Sequence, residues 1–236
     1  MKTSIVASTL LSAVAVAQAT TGQLGDAAVV SGLPVGVTYK ATLPNKNTTT
    51  LRGTVTGTTS PDGVGVIWTV DVTGFPAAGG PFLYHIHDQP VPANGNCTAT
   101  LAHLDPYIRG EVPICDPSQP QTCQVGDLSG KYGEPAGPNY QATYHDLYTS
   151  TQQGPASFFG NRSIVFHLNN KTRINCANFT LVPGNGSSSA PTGVYPPPAS
   201  SSVYGTGAPP AQYTGAAAQV MVNAAALLVG LAAFAF

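Results

Sequence analysis

Histidine is scarce in this chain, five in 236 residues, and two of the five stand one residue apart in "FLYHIHDQPV" (82–91). On a strand, the period of two points His85 and His87 to the same face. Two such imidazoles are either surface decoration or half of a metal site. The remaining histidines are His103 in "TLAHLDPY", His145 in "TYHDLY" and His167 in "SIVFHLN". An all-imidazole site without thiolate suits copper or zinc, and four nitrogens in near-square geometry suit Cu(II).

Those side chains need elements to position them, and the central residues read as all-β. "VTYKATL" (37–43), "LRGTVTG" (51–57) and "VGVIWTVDV" (64–72) are rich in Val, Thr, Ile, Tyr and Trp. "SPDG" (60–63) has Pro at the second turn position and Gly at the fourth, which predicts a hairpin. "FLYHIH" (82–87), "RSIVFHL" (162–168) and "RINCANFTLV" (173–182) are further strands. The stretch 92–157 reads as long structured loops on a β-scaffold, where function tends to sit. No segment keeps a helical apolar period, so the class is an antiparallel sandwich or barrel.

The ends differ in kind. Met1 to Ala19 has a charged start at Lys2, an apolar run and the small-residue site Ala17-Gln18-Ala19, the pattern of a secretory signal. Beyond Arg173 there is no Asp, Glu, Lys or Arg. Residues 184–215 are Ser, Pro and Gly-rich and read as a solvated stalk. Residues 216–236 end in "AAALLVGLAAFAF", an apolar tail without basic flanks. With small residues before it, this matches a GPI-attachment signal that is removed, with Gly215 the expected attachment residue. Residues 20–183 remain as one domain.

The formal charge of −1 leaves no basic footprint for nucleic acid. Sequons at Asn47, Asn96, Asn161, Asn170, Asn178 and Asn185 suit a secreted surface and are glycosylation candidates. In an oxidising compartment the four cysteines, Cys97, Cys115, Cys123 and Cys176, make two disulfides by default. Three pairings are possible. Joining Cys115 to Cys123 closes a short loop and leaves Cys97 for Cys176, which would draw the His103 loop toward the His167 strand.

With those residues in view, the chain resembles the copper/zinc superoxide dismutase superfamily, and within it the secreted, GPI-anchored copper-only enzymes of fungal surfaces. The resemblance runs from about Val37 to Val182 and rests on "HIHDQPV", "NCTATLAHLDPY", "QVGDLSGKYG", "SIVFHLN" and "TRINCANF", in that order. It implies a Greek-key β-sandwich or barrel with long disulfide-tied loops. It also implies that His85, His87, His103 and His167 hold one copper ion, that Arg173 receives the superoxide anion, and that Cys97 bonds to Cys176.

Two departures from the zinc-containing members shape the expectation. No histidine lies between His103 and "QVGD"; Gln124 stands where the last zinc-binding histidine would be, and only Asp127 survives of the zinc set. A closed zinc site cannot be built from one carboxylate and one shared imidazole, so copper without zinc is expected. Asp127 is then the candidate to accept the free ring N–H of His103, against the plainer role of stabilising the "GDLSG" turn. The second departure is length: only six positions separate His167 from Arg173, where the zinc-containing members carry a long charged loop. A shallow, open site is expected, with Lys171 and Arg173 attracting an anion.

The expected function is extracellular superoxide dismutation by a cell-surface monomer held to the plasma membrane by GPI lipid or to cell-wall glucan. The competing reading is a copper-binding wall protein of weak activity, for which an anion-guiding arginine would have no use. A zinc hydrolase is disfavoured, since no Gly-x-Ser-x-Gly elbow is present. His145 is expected to be structural or on the surface.

Overall fold

A computed structural model describes residues 21–183. The predicted signal segment, the stalk, Asn185, Gly215 and the apolar tail lie outside these residues. Among the described residues, no helix is long and apolar enough to cross a membrane.

Three strands follow one another as a meander: β1 (Thr38–Leu43), β2 (Arg52–Thr59) and β3 (Val66–Thr73). β2 and β3 are joined through the predicted turn, where Gly63 N–H donates to the Ser60 carbonyl at 2.8 Å. β3 shows the alternation that a half-buried strand requires, with Val66, Trp68, Val70 and Val72 inward. β4 (Leu83–His87) leaves for a second sheet.

β5 (Asn139–Asp146) returns to pair antiparallel with β3 along its whole length. This strand falls inside the stretch that the sequence reading assigned to loops. Its alternation is real, with Tyr140, Ala142, Tyr144 and Asp146 turned inward, but polar neighbours and the preceding Gly/Pro run disguise it. β6 (Ser163–His167) and β7 (Arg173–Asn178) flank β4 in the second sheet, and β8 (Thr180–Leu181) crosses back to pair with β1. The sheets are thus β5-β3-β2-β1-β8 and β4-β6-β7. These repeated crossings are a Greek-key pattern.

The core between the sheets is aromatic. Trp68 packs on Phe159 with ring centroids 4.5 Å apart, and Phe75 stacks on Phe82 at 4.6 Å. Gly57 makes room for this: a Cβ there would lie 2.6 Å from the Phe159 ring. The inward Tyr84, Ile86, Ile164 and Phe166 of the second sheet complete the core. The period of two therefore sends His85, His87 and His167 to the opposite face.

Both disulfides tie loops to this frame: Cys97 to Cys176, 79 positions apart, and Cys115 to Cys123. The chain-entropy model gives the longer bridge roughly 4–5 kcal/mol. Near the edge of the barrel a second polar centre is fully enclosed. Lys131, on the five-residue helix α1 (Leu128–Tyr132), is ion-paired to Asp146, both side chains at 0% exposure. Lys131 Nζ also donates to the Val125 carbonyl at 3.0 Å. Asp146 in turn accepts from Tyr132 Oη, the Tyr148 and Thr149 amides and Thr149 Oγ1.

Candidate metal centre

Three segments meet to make the site, and backbone bonds fix how they meet. Ile86 N–H donates to the Gly126 carbonyl, Gly126 N–H to the Leu104 carbonyl and Leu104 N–H to the Ile86 carbonyl, at 2.9, 2.8 and 2.8 Å. This closed triangle ties the histidine strand β4 to the His103 loop and to the 124–127 segment. Gly126 is required by closeness, since a Cβ there would lie 2.4 Å from the Ile86 oxygen. The Cys97–Cys176 bridge holds the loop's other end to β7, and His87 and His103 form a β-bridge across the gap.

The outcome is that His85, His87, His103 and His167 present nitrogens within 4.8 Å of one another. His85 and His103 rings stack at 3.9 Å, and the Nε2 atoms of His87 and His167 are 3.2 Å apart. His145 lies elsewhere, on the outer face of β5, with Nε2 2.7 Å from the Val64 carbonyl.

The outer nitrogen of each ring has its own partner. His87 Nδ1–H donates to the Leu101 carbonyl at 2.9 Å, His167 Nδ1–H to the Lys171 carbonyl at 3.1 Å and His103 Nδ1–H to Gln124 Oε1 at 2.6 Å. His85 is turned the other way: its Nε2 lies 3.4 Å from Asp127 Oδ1, and its Nδ1 is buried with no partner. A carbonyl accepts only, so Nδ1 of His87, His103 and His167 carries the proton and their Nε2 lone pairs stay free, while the neighbouring Asp127 carboxylate favours the His85 proton on Nε2 and leaves its partnerless Nδ1 inward. Four lone pairs converge: Nδ1 of His85 and Nε2 of the other three. Two such acceptors at 3.2 Å, with no hydrogen between them, repel unless a cation lies nearby.

Electrostatics reinforces this. Burial, then the neighbouring imidazoles, push His85 well below the ordinary histidine value and His87 down to about 2. Burial likewise lowers His167 to about 4, against the raising effect of its bond to Lys171. These rings stay neutral at physiological pH, as ligation requires. The donor set, all nitrogen with a carboxylate and carbonyls outside it, fits copper.

Asp127 differs from its expected role. It faces His85 and not His103, and its Oδ1 caps α1 by accepting the Gly130 amide at 2.8 Å. The turn-stabilising role is therefore present as well. The partner of His103 is Gln124, which sequence reading noted only as a missing histidine. The spacing offered the signal: Gln124 occupies the vacated ligand position two residues before Gly126.

His85, His103 and His167 open onto a cavity of about 970 Å³ whose lining includes Glu111, Gln124, Lys171 and Arg173. Lys171, expected to attract an anion, is paired at the surface. Its Nζ is 2.6 Å from Glu111 Oε2, contributed by the opposite loop, and this exposed ion pair offsets part of its charge. Arg173 is anchored: Nη1 donates to the Cys97 and Thr98 carbonyls and to Thr100 Oγ1, and Nη2 to the Leu101 carbonyl. The guanidinium thus braces the loop whose Leu101 carbonyl orients His87, while lining the cavity.

Asn47, Asn96, Asn161, Asn170 and Asn178 are all exposed. Asn178 is also engaged at both ends of its amide, accepting the Val91 amide at 2.6 Å and donating to the Val91 carbonyl at 2.9 Å.

No family model matches the chain. Curated relatives do. A "Cell surface Cu-only superoxide dismutase" of Arthroderma benhamiae is 43% identical over 214 residues, 77% of this chain and 57% of that protein. The "Cell surface Cu-only superoxide dismutase 5" of Candida albicans is 39% identical over 164 residues, 70% of each chain. The solved structure of Candida albicans superoxide dismutase 5 with Cu(II) aligns at 39% identity and a TM-score of 0.59, over 66% of this chain and 100% of that one. The chain thus spans a little over half the length of the first of these proteins. Its sequence, its Greek-key frame and its four converging imidazoles place it in one family: the chain belongs to the cell-surface copper-only superoxide dismutases.

Proposed function

We propose that this protein is an extracellular superoxide dismutase that converts two superoxide anions and two protons to dioxygen and hydrogen peroxide. The site would hold one copper ion on His85 Nδ1 and on Nε2 of His87, His103 and His167. The observation that carries the reading is the set of three outer hydrogen bonds, to His87, His103 and His167, together with the buried, partnerless Nδ1 of His85, which leaves those four inner nitrogens free. A bound copper would supply one-electron exchange between successive superoxide anions.

The chain's own residues do the rest. Lys171 and Leu101 carbonyls and Asp127 hold three rings in orientation, and Gln124 holds the fourth. Because His103 Nδ1 is engaged by Gln124 at 2.6 Å, it offers no ligand to a second metal, which supports copper without zinc. Arg173 lines the cavity as the cation beside His167 and receives the anion. The cavity is wide, so water can deliver protons. The expected secretory signal, the 184–215 stalk, the exposed sequons and the expected GPI tail support a location on the cell surface or wall, where the protein would act as a monomer.

Protein carrying one copper and no stoichiometric zinc is expected to accelerate superoxide decay far beyond the uncatalysed rate, with one hydrogen peroxide released per two superoxide consumed. A copper-holding wall protein is the alternative, favoured by the engagement of Arg173 in bracing a loop. Full copper loading without superoxide consumption would establish it.

A further inference from the structure

Gln124 can do its work on His103 in only one of its two orientations. With the amide reversed, its NH₂ group would face His103 Nδ1 and draw a lone pair there. The ring proton would then sit on Nε2, the atom turned toward the cluster. Nothing in the amide itself prevents this, since its two ends are nearly identical in shape.

What prevents it is Asp105. Gln124 Nε2 donates to Asp105 Oδ2 at 3.0 Å while Gln124 Oε1 faces His103 Nδ1 at 2.6 Å. An ionised carboxylate accepts only, so it can be satisfied by the NH₂ end alone. Asp105 is itself fixed. Its Oδ1 accepts the Arg109 amide at 3.0 Å and its Oδ2 the Gly110 amide at 2.8 Å. Between them, Leu104 is buried at 2% exposure and clamped by backbone bonds to Ile86 and Gly126. Alternation about Leu104 puts His103 and Asp105 on the same side, both toward Gln124.

We infer that Asp105 is a positioning residue which, through the Gln124 amide, sets the tautomer of His103 and keeps its Nε2 lone pair available. A carboxylate at position 124 would need no such partner, because it has no wrong end; a glutamine does. The orienting aspartate is thus the counterpart of the glutamine. The inference rests on the reading of His103 as a ligand only for its consequence, since the tautomer belongs to the metal-free protein.

Nitrogen-15 NMR of the metal-free protein reads that tautomer directly. His103 should be the Nδ1–H form in the unaltered chain. Asp105→Ala and Gln124→Ala should each give a mixture with the Nε2–H form, with copper affinity lowered roughly 10- to 100-fold. Adding Gln124→Glu to Asp105→Ala should restore the Nδ1–H form and most of the affinity. A role limited to bracing the 105–110 loop would leave that double variant as impaired as Asp105→Ala. His103 remaining Nδ1–H in both alanine variants, or no rescue by Gln124→Glu, would overturn the relay. If Asp105→Ala does not fold, Asp105→Asn takes its place: its side-chain amide can face Gln124 with either end, so the same tautomer mixture is expected, and a pure Nδ1–H form would overturn the relay. Failure of the unaltered chain to take up copper would sink the metal reading and not the tautomer.

Discussion

Two buried polar centres lie a few residues apart along the 124–131 segment, and they are built on opposite plans. Around Asp146 every available group is matched: Lys131, Tyr132, Thr149 and two amides converge on one carboxylate. Around the histidines only the outer nitrogens are matched, and the inner ones face each other. Complete satisfaction makes a closed structural centre, since an unpaired buried group costs several kcal/mol. Systematic incompleteness on one side of a cluster makes a site awaiting a cation. Gly126 and Val125 link the two, one in the clamp on β4 and the other accepting from Lys131.

Breaking one member of each centre should separate these plans most sharply. Lys131→Met strands a fully buried carboxylate and should destabilise the protein by about 3–5 kcal/mol, read by denaturant unfolding. His87→Ala should cost the metal-free protein much less, and sharply lower copper affinity while leaving three nitrogens for the metal, read by copper titration. A stability loss in His87→Ala as large as in Lys131→Met would erase the distinction.

The next effect in size concerns pH. A histidine held below its ordinary value binds fewer protons folded than unfolded, so acid favours unfolding. For His87 at about 2 and His167 at about 4, the metal-free protein should lose stability as pH falls from about 6.5 toward 4. Each ring contributes up to about 1.4 kcal/mol per pH unit. Asp146 acts in a lower window. Burial pushes it up, but Lys131 and its hydrogen bonds hold it below the usual carboxylate value. Its contribution is full above about 4 and is lost below that. Copper loading should raise stability at neutral pH and keep or steepen the upper phase, because the metal holds protons off the same nitrogens, while the lower phase is unchanged, as thermal melts across pH would show.

Smaller effects lie at the cavity rim. Arg173→Ala should lower kcat/KM roughly 10- to 100-fold through lost attraction of the anion. Because Arg173 also braces the Leu101 carbonyl, copper affinity should fall only slightly. Release of the metal would show that bracing, not anion reception, is its chief role. Glu111→Gln frees Lys171 from its ion pair. It should raise kcat/KM a few-fold at low salt, an advantage that vanishes as ionic strength increases.

Much of this was legible in the chain. Strong alternation in "VIWTVDV" and the paired turn residues of "SPDG" gave β2 and β3, and His85-x-His87 gave one face of the site. β5 was hidden because its two inward tyrosines, a strand signal in themselves, alternate with only an alanine and an aspartate and follow a Gly/Pro run. The partner of Asp127 was hidden for another reason. Its sequence position constrains it to the site, but whether it meets His85 or His103 depends on ring orientation, which the backbone clamp sets. Glu111 lies 60 positions from Lys171, and only the folded loop brings them together.

The central claim is that outer hydrogen bonds dictate which four nitrogens receive the metal. Electron paramagnetic resonance of the protein loaded with one equivalent of Cu(II), using nitrogen-15 histidine, tests it most directly. Coupling to four equatorial imidazole nitrogens is expected, falling to three in each of the single alanine variants of His85, His87, His103 and His167. Coupling to fewer than four in the unaltered protein, or a signal unchanged by one of those substitutions, would contradict the account.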